Sequence, residues 1–142
     1  MTVILDDHLL RDWMLTPDRA LRDAVGAEDL ATTNLWYARL CKSAARVGSG
    51  AVLGPLNQLA RRALVAALVE LPDDIAITPM REIAWRMGML SDHGSRLSTL
   101  GCEAVASAEH LGARLLVSVR DDGPGVRQSC QRLGIRYTAL RR

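Results

Sequence analysis

The 142-residue chain is long enough to bury a core around a small sheet and short enough to form one ordinary domain, residues 1–142. Its composition, 49% hydrophobic and 24% charged, excludes a disordered chain. A formal net charge of +2 is too small for bulk electrostatics to argue for nucleic-acid binding.

Lys42 is the only lysine, and every other basic residue is arginine. Arginine binds phosphate bidentately, so the bias is compatible with an RNA partner; a GC-rich coding sequence produces the same bias. Cys41, Cys102 and Cys130 lie far apart with no Cys-x-x-Cys pair. They read as buried thiols in a reducing compartment rather than as disulfides or a zinc site. The N-terminus carries Asp6 and Asp7 and no basic-then-apolar signal segment. No apolar run approaches the roughly 20 residues of a membrane span, so a soluble cytoplasmic protein is expected.

In chain order, Val3-Ile4-Leu5 reads as a short strand ending in Asp6-Asp7. Leu9, Leu10, Trp13 and Met14 recur at helical spacing up to Pro17, and Asp18 to Val25 reads as a second short helix closed by Gly26. Leu30 to Thr32 is a candidate second strand. Thr33 or Asn34 then caps a helix from Leu35 to about Arg46, broken by Gly48 and Gly50. From Pro55 to Leu71 one apolar stripe marks the clearest helix, with Pro55 in its first turn. Ile75 to Thr78 is a third strand, and Pro79 opens a helix carried by Met80, Ile83, Ala84, Met87 and Leu90. A polar link, Asp92 to Ser98, holds Gly94 as a helix stop. Glu103 to Leu111 is helical, Leu115 to Val119 a buried strand, and Asp121 to Gly125 a turn. Val126 to Leu133 is the last helix, stopped by Gly134, and Ile135 to Leu140 the final strand. This alternation predicts a three-layer α/β fold with a mostly parallel sheet of four to five strands between helices.

In an open parallel sheet, ligands bind beyond the carboxyl ends of the strands. Asp6-Asp7 follows the first strand and Asp121-Asp122 the fourth, so both acidic pairs face the same edge. Clustered carboxylates there suit Mg²⁺ or Mn²⁺, which could activate water and stabilise charge on a phosphodiester. Alternatively, Asp7 caps the first helix and Asp121-Asp122 simply make a turn. Asp6-Asp7-His8 also resembles the start of a two-component receiver domain. The third strand ends without an acid and Lys42 stands alone and early, so that assignment fails. His8, His93 and His110 lack metal-ligand spacing and read as surface or cap residues. No Gly-x-Gly-x-x-Gly or Gly-Lys-Ser/Thr loop is present. Trp13, Trp36 and Trp85 sit at helical positions and read as packing residues rather than a base-stacking platform.

The chain resembles the PIN domains of VapC-type toxins and related ribonucleases over nearly its whole length. The resemblance is carried by Val3-Ile4-Leu5-Asp6, by the strand-helix-strand from Leu115 to Tyr137, and by Glu103 to Ala113. That last segment is similar to the family's Asp-Ala-x-x-x-Ala-x-Ala helix and Leu-Gly-Ala turn. The resemblance implies about four acidic residues holding one or two divalent ions. Asp6 matches the first. Arg39 occupies the position of the second, a glutamate. Gly101 matches the third without a gap, Glu103 with a gap of two residues. Val119 or Arg120 aligns with the fourth, beside Asp121.

Two functions follow from this resemblance. In a metal-dependent ribonuclease, Asp6, Glu103 and Asp121 would hold Mg²⁺ or Mn²⁺, with Asp7 or Asp122 assisting. In an inactive module, Arg39 would replace the ion as counter-charge, bound to Asp6, and the cleft would bind RNA or a protein partner. The resemblance further implies an antitoxin-like partner and a homodimer formed through early helices, with exposed apolar positions on the helices from Leu35 or Pro55 as the interface.

Overall fold

The computed structural model describes residues 1–46, 56–92 and 96–142. The chain opens with β1 (Thr2–Leu5), α1 (Asp7–Leu15), α2 (Arg19–Val25), β2 (Asp29–Thr32) and α3 (Asn34–Ala45). It continues through α4 (Gln58–Val69), β3 (Ile75–Ile77), α5 (Met80–Asp92) and α6 (Thr99–Leu111). It ends with β4 (Arg114–Ser118), α7 (Pro124–Leu133) and β5 (Tyr137–Leu140). The strands form one sheet in the order β3-β2-β1-β4-β5. Every neighbouring pair is parallel.

Alternation along β1 divides the core. Val3 and Leu5 face Leu9, Leu10, Leu21, Leu40 and Leu64 from α1 to α4. Ile4 faces Ile83, Leu90, Ala104, Val105 and Cys130 from α5 to α7. The fold is therefore three-layered, with Val3, Ile4 and Leu5 of β1 buried on both sides, as an apolar run in a parallel sheet should be. Successive strands step away from β1 in one direction through β2 and β3, and in the other through β4 and β5. The switch point lies between the carboxyl ends of β1 and β4, where a crevice opens for ligands in sheets of this kind.

Helix starts follow side-chain capping. The carboxylate of Asp6 caps α1, Asp18 caps α2, the Thr33 hydroxyl caps α3 and Asn57 caps α4. Asp7, one of two candidate roles for which was helix capping, is instead the first residue inside α1. The predicted start of the fourth helix at Pro55 lies outside the described residues, as do Gly48, Gly50, His93 and Gly94. α6 begins at Thr99, one turn earlier than the sequence suggests, because the Ser98 hydroxyl accepts the Gly101 amide and starts the helix there. Trp36 is buried and Trp13 packs against the core, but Trp85 is 83% exposed on α5, contrary to its predicted packing role. The cysteines are free thiols, Cys102 and Cys130 buried and Cys41 half-buried. Among the described residues, no helix is long and apolar enough to cross a membrane.

Candidate functional site at the β1–β4 edge

Asp6 leaves β1 and enters the start of α1 fully buried. One carboxylate oxygen accepts the Leu9 amide at 2.9 Å. The other accepts both the amide and the hydroxyl of Ser118, each at 2.7 Å, tying the ends of β1 and β4 together. Burial pushes the Asp6 carboxyl up to about 7, against the bonds from Ser118 and Leu9, which favour its charged form.

Asp7 is equally buried. Arg39, from α3, donates Nε to its Oδ2 and Nη2 to its Oδ1, the latter at 2.7 Å. The same Nη2 reaches both oxygens of Asp121, at 2.8 and 2.7 Å, in the turn after β4. His8 Nδ1 lies 3.1 Å from Asp7 Oδ1 and 3.4 Å from Asp121 Oδ2. The guanidinium and the imidazole thus bridge two carboxylates contributed by residues more than a hundred positions apart. Hydrogen bonds to Asp121 and Asp7 push the His8 imidazole up to about 9, although burial opposes its charge. Burial works to raise the Asp121 carboxyl, but His8 and Arg39 outweigh it and hold the group well below the usual carboxylate range. The Arg39 guanidinium, bonded to Asp7, is held even more firmly in its charged form.

The expected Arg39 ion pair with Asp6 is not the one that forms. Asp6 has both oxygens filled by backbone and Ser118 donors, so the guanidinium takes Asp7 and Asp121. Glu103 is fully buried but faces elsewhere. Its Oε1 accepts the Leu35 amide at 2.7 Å, and its Oε2 accepts the Asn34 amide at 2.9 Å and the Asn34 side-chain amide at 2.7 Å. It closes the N-terminus of α3. Asp122 turns outward to Arg127 and to the Tyr137 hydroxyl, 2.9 Å away. At Gly101 a Cβ would lie 3.0 Å from Val126 Cγ2 and 3.2 Å from Leu97 Cδ2, so apolar side chains fill the space a carboxylate there would need. His8 is the site residue that sequence reasoning passed over; its partner Asp121 is remote in sequence and no local spacing signals it. His110, by contrast, sits half-exposed beside Glu82, 3.0 Å away.

One ligand atom from each of Asp6, Asp7, His8 and Asp121 lies within 4.8 Å of the others, a donor set whose chemistry suits a divalent cation. As arranged, the set does not fit one. Both oxygens of Asp7 and of Asp121 accept from Arg39, and both of Asp6 from β4 and α1, leaving a cation to compete with a bound guanidinium.

The two raised pKa values predict a stability profile. Asp6 rises from 3.8 to about 7, so its contribution is complete below pH 3.8 and lost as pH climbs through 7. His8 rises from 6.5 to about 9, so its contribution is complete below pH 6.5 and lost through pH 9. Between pH 7 and 9 the melting temperature should therefore fall. The ceiling for His8 is about 3 kcal/mol, or roughly 10 °C for a domain of this size. Calorimetric melts of wild type and His8→Gln across that range check it; an equal decline in both would exclude His8 as the cause.

No protein-family model and no curated protein matches this sequence. Solved structures do. Over 97% of its length the chain is similar to a chain in the structure of FitAB bound to an IR36 DNA fragment, covering 94% of that chain at a TM-score of 0.59 and 14% identity. A chain of VapBC-1 from nontypeable Haemophilus influenzae matches 99% of it, with 98% of that chain covered, a TM-score of 0.54 and 17% identity. At such identities the likeness is one of fold, and it agrees with the five-stranded parallel sheet and its switch-point site: this chain has the PIN-like fold of VapC-type proteins.

Proposed function

We propose that this single domain, residues 1–142, is a cytoplasmic PIN-like protein related to VapC-type ribonucleases, with catalysis lost or weakened, that acts by binding RNA or a protein partner. One observation carries this: the Arg39 guanidinium occupies the oxygens of Asp7 and Asp121 that a Mg²⁺ or Mn²⁺ ion would need. A unit charge at ~4 Å repels each unit of a cation's charge by roughly 4 kcal/mol at an effective dielectric of 20. Even one such unit is worth about three decades of affinity. Gly101, packed against Val126, supports the same reading because it supplies no third acid. The similar structures are of VapBC-1 and FitAB, so an antitoxin-like protein is the protein partner to seek. Leu59, Val65 and Val69 are exposed on α4 and offer an apolar surface for a homodimer or for that partner.

The second reading is an active Mg²⁺- or Mn²⁺-dependent endoribonuclease, the toxin of a toxin–antitoxin pair. The close approach of Asp6, Asp7, His8 and Asp121 favours it. Titration calorimetry with Mn²⁺ in metal-free buffer, on wild type and Asp6→Asn, separates the two. Absence of binding in both folded proteins is expected. Micromolar binding by wild type that disappears in the variant would sink the inactive reading.

A further inference from the structure

Net charge conceals an uneven distribution: residues 114–142 hold seven arginines against two aspartates. Part of that charge borders a groove of about 570 Å³ between the start of α7 and the segment leading into α6. Its walls include Arg96 and Arg132, both exposed and without an ion-pair partner among the described residues. Here the N-terminus of α7 is uncapped. Gly123 at the cap position has no side chain to offer, and Pro124 has no amide hydrogen, so the Gly125 and Val126 amides are the open donors. A Cβ on Gly125 would lie 3.0 Å from the Arg96 carbonyl, so glycine lets the Arg96 segment close over the helix start. Ser129, one turn further on, is 3% exposed, lines the groove and makes no side-chain hydrogen bond among the described residues. Asp121 also reaches the rim, but Arg39 at 2.7 Å and His8 at 3.4 Å offset its charge.

Two open amides at a positive helix end, the Ser129 hydroxyl and two guanidinium groups unpaired among the described residues make the donor set of a phosphate site. We propose that this groove takes a phosphodiester group of a nucleic-acid strand, held by the Gly125 and Val126 amides, Ser129, Arg96 and Arg132. The inference rests on the reading of the domain as a binding module and gives that module a site beside, not within, the acidic cluster. Arginine at both walls suits a backbone contact that fixes position without reading sequence.

The test is amide chemical-shift mapping on the full chain. Inorganic phosphate is added against sodium chloride at matched ionic strength, followed by a short single-stranded oligoribonucleotide. Saturable shifts of the Gly125 and Val126 amides with both probes are expected. Arg96→Ala and Arg132→Ala should each weaken RNA binding by roughly tenfold and lower the salt slope by about 1. Ser129→Ala should weaken phosphate binding with the fold intact. Phosphate shifts no larger than those from chloride, or phosphate binding without RNA binding, would overturn the assignment. RNA shifts confined to another surface would overturn the groove while leaving the binding-module reading in place. The Mn²⁺ calorimetry decides that reading's catalytic half independently.

Discussion

Replacing Arg39 with alanine should lower stability in metal-free buffer and, in the same variant, raise Mn²⁺ affinity by about three decades or more. Both effects have one cause. In the wild type, Asp7 is fully buried and its charge is met by the guanidinium, which also spans to Asp121. Without the guanidinium the two carboxylates face each other, leaving only His8, close to both, to compensate. Losing one partner of a buried pair costs about 3–5 kcal/mol. The Arg39 side chain is 33% exposed, so the lower end of that range, or slightly below it, applies. Mn²⁺ at a hundred times its dissociation constant would return about 2.7 kcal/mol. Thermal melts of Arg39→Ala with chelator and with Mn²⁺ read both quantities, and wild type should respond to neither. A variant as stable as wild type and as indifferent to Mn²⁺ would show that Arg39 is a surface contact. Nuclease activity is not expected to return with the metal. Gly101 still supplies no acid, and a side chain there must push aside Val126 or Leu97.

The sheet was legible because β1, β3 and β4 centre on apolar runs and every connection is long enough for the crossover a parallel pair requires, whereas β2 and β5 carry a weaker signal. The edge on which Asp6, Asp7 and Asp121 meet followed from the same rule. Which aspartate Arg39 would take did not follow. Asp6, extended at φ −70° and ψ 174°, is the cap residue, whereas Asp7 is already helical; a one-residue step sends the side chains in different directions. Periodicity locates a helix but does not fix the residue at which it starts. Likewise the early start of α6 at Thr99 puts Glu103 one turn inside the helix, where it faces α3 rather than the strand ends. Trp85 failed for another reason. Its neighbours Ile83 and Leu90 set the buried face of α5, and a tryptophan two positions from Ile83 falls on the opposite side.

Glu103→Ala should be the most destabilising single change near the site while leaving metal chemistry untouched. The carboxylate is fully buried and accepts three N–H donors from Asn34 and Leu35, across 68 and 69 residues of chain. It therefore does for α3 what a capping side chain does locally, and it holds α6 to the helix that carries Arg39. Alanine would leave two backbone amides unpaired and open a cavity, at about 3–5 kcal/mol, or roughly 10–15 °C in melting temperature. Glu103→Gln keeps the shape but turns an amide NH₂ toward one of the donors, so about half that loss is expected. A metal-ligand role predicts something different. If Glu103 belonged to the cation site, adding Glu103→Gln to Arg39→Ala would lower Mn²⁺ affinity by an order of magnitude or more. If it is the staple between α6 and α3, the double variant should bind Mn²⁺ within about twofold of Arg39→Ala, because breaking that staple costs folding free energy rather than ligand oxygens. The ratio of those two dissociation constants assigns Glu103 to one role or the other.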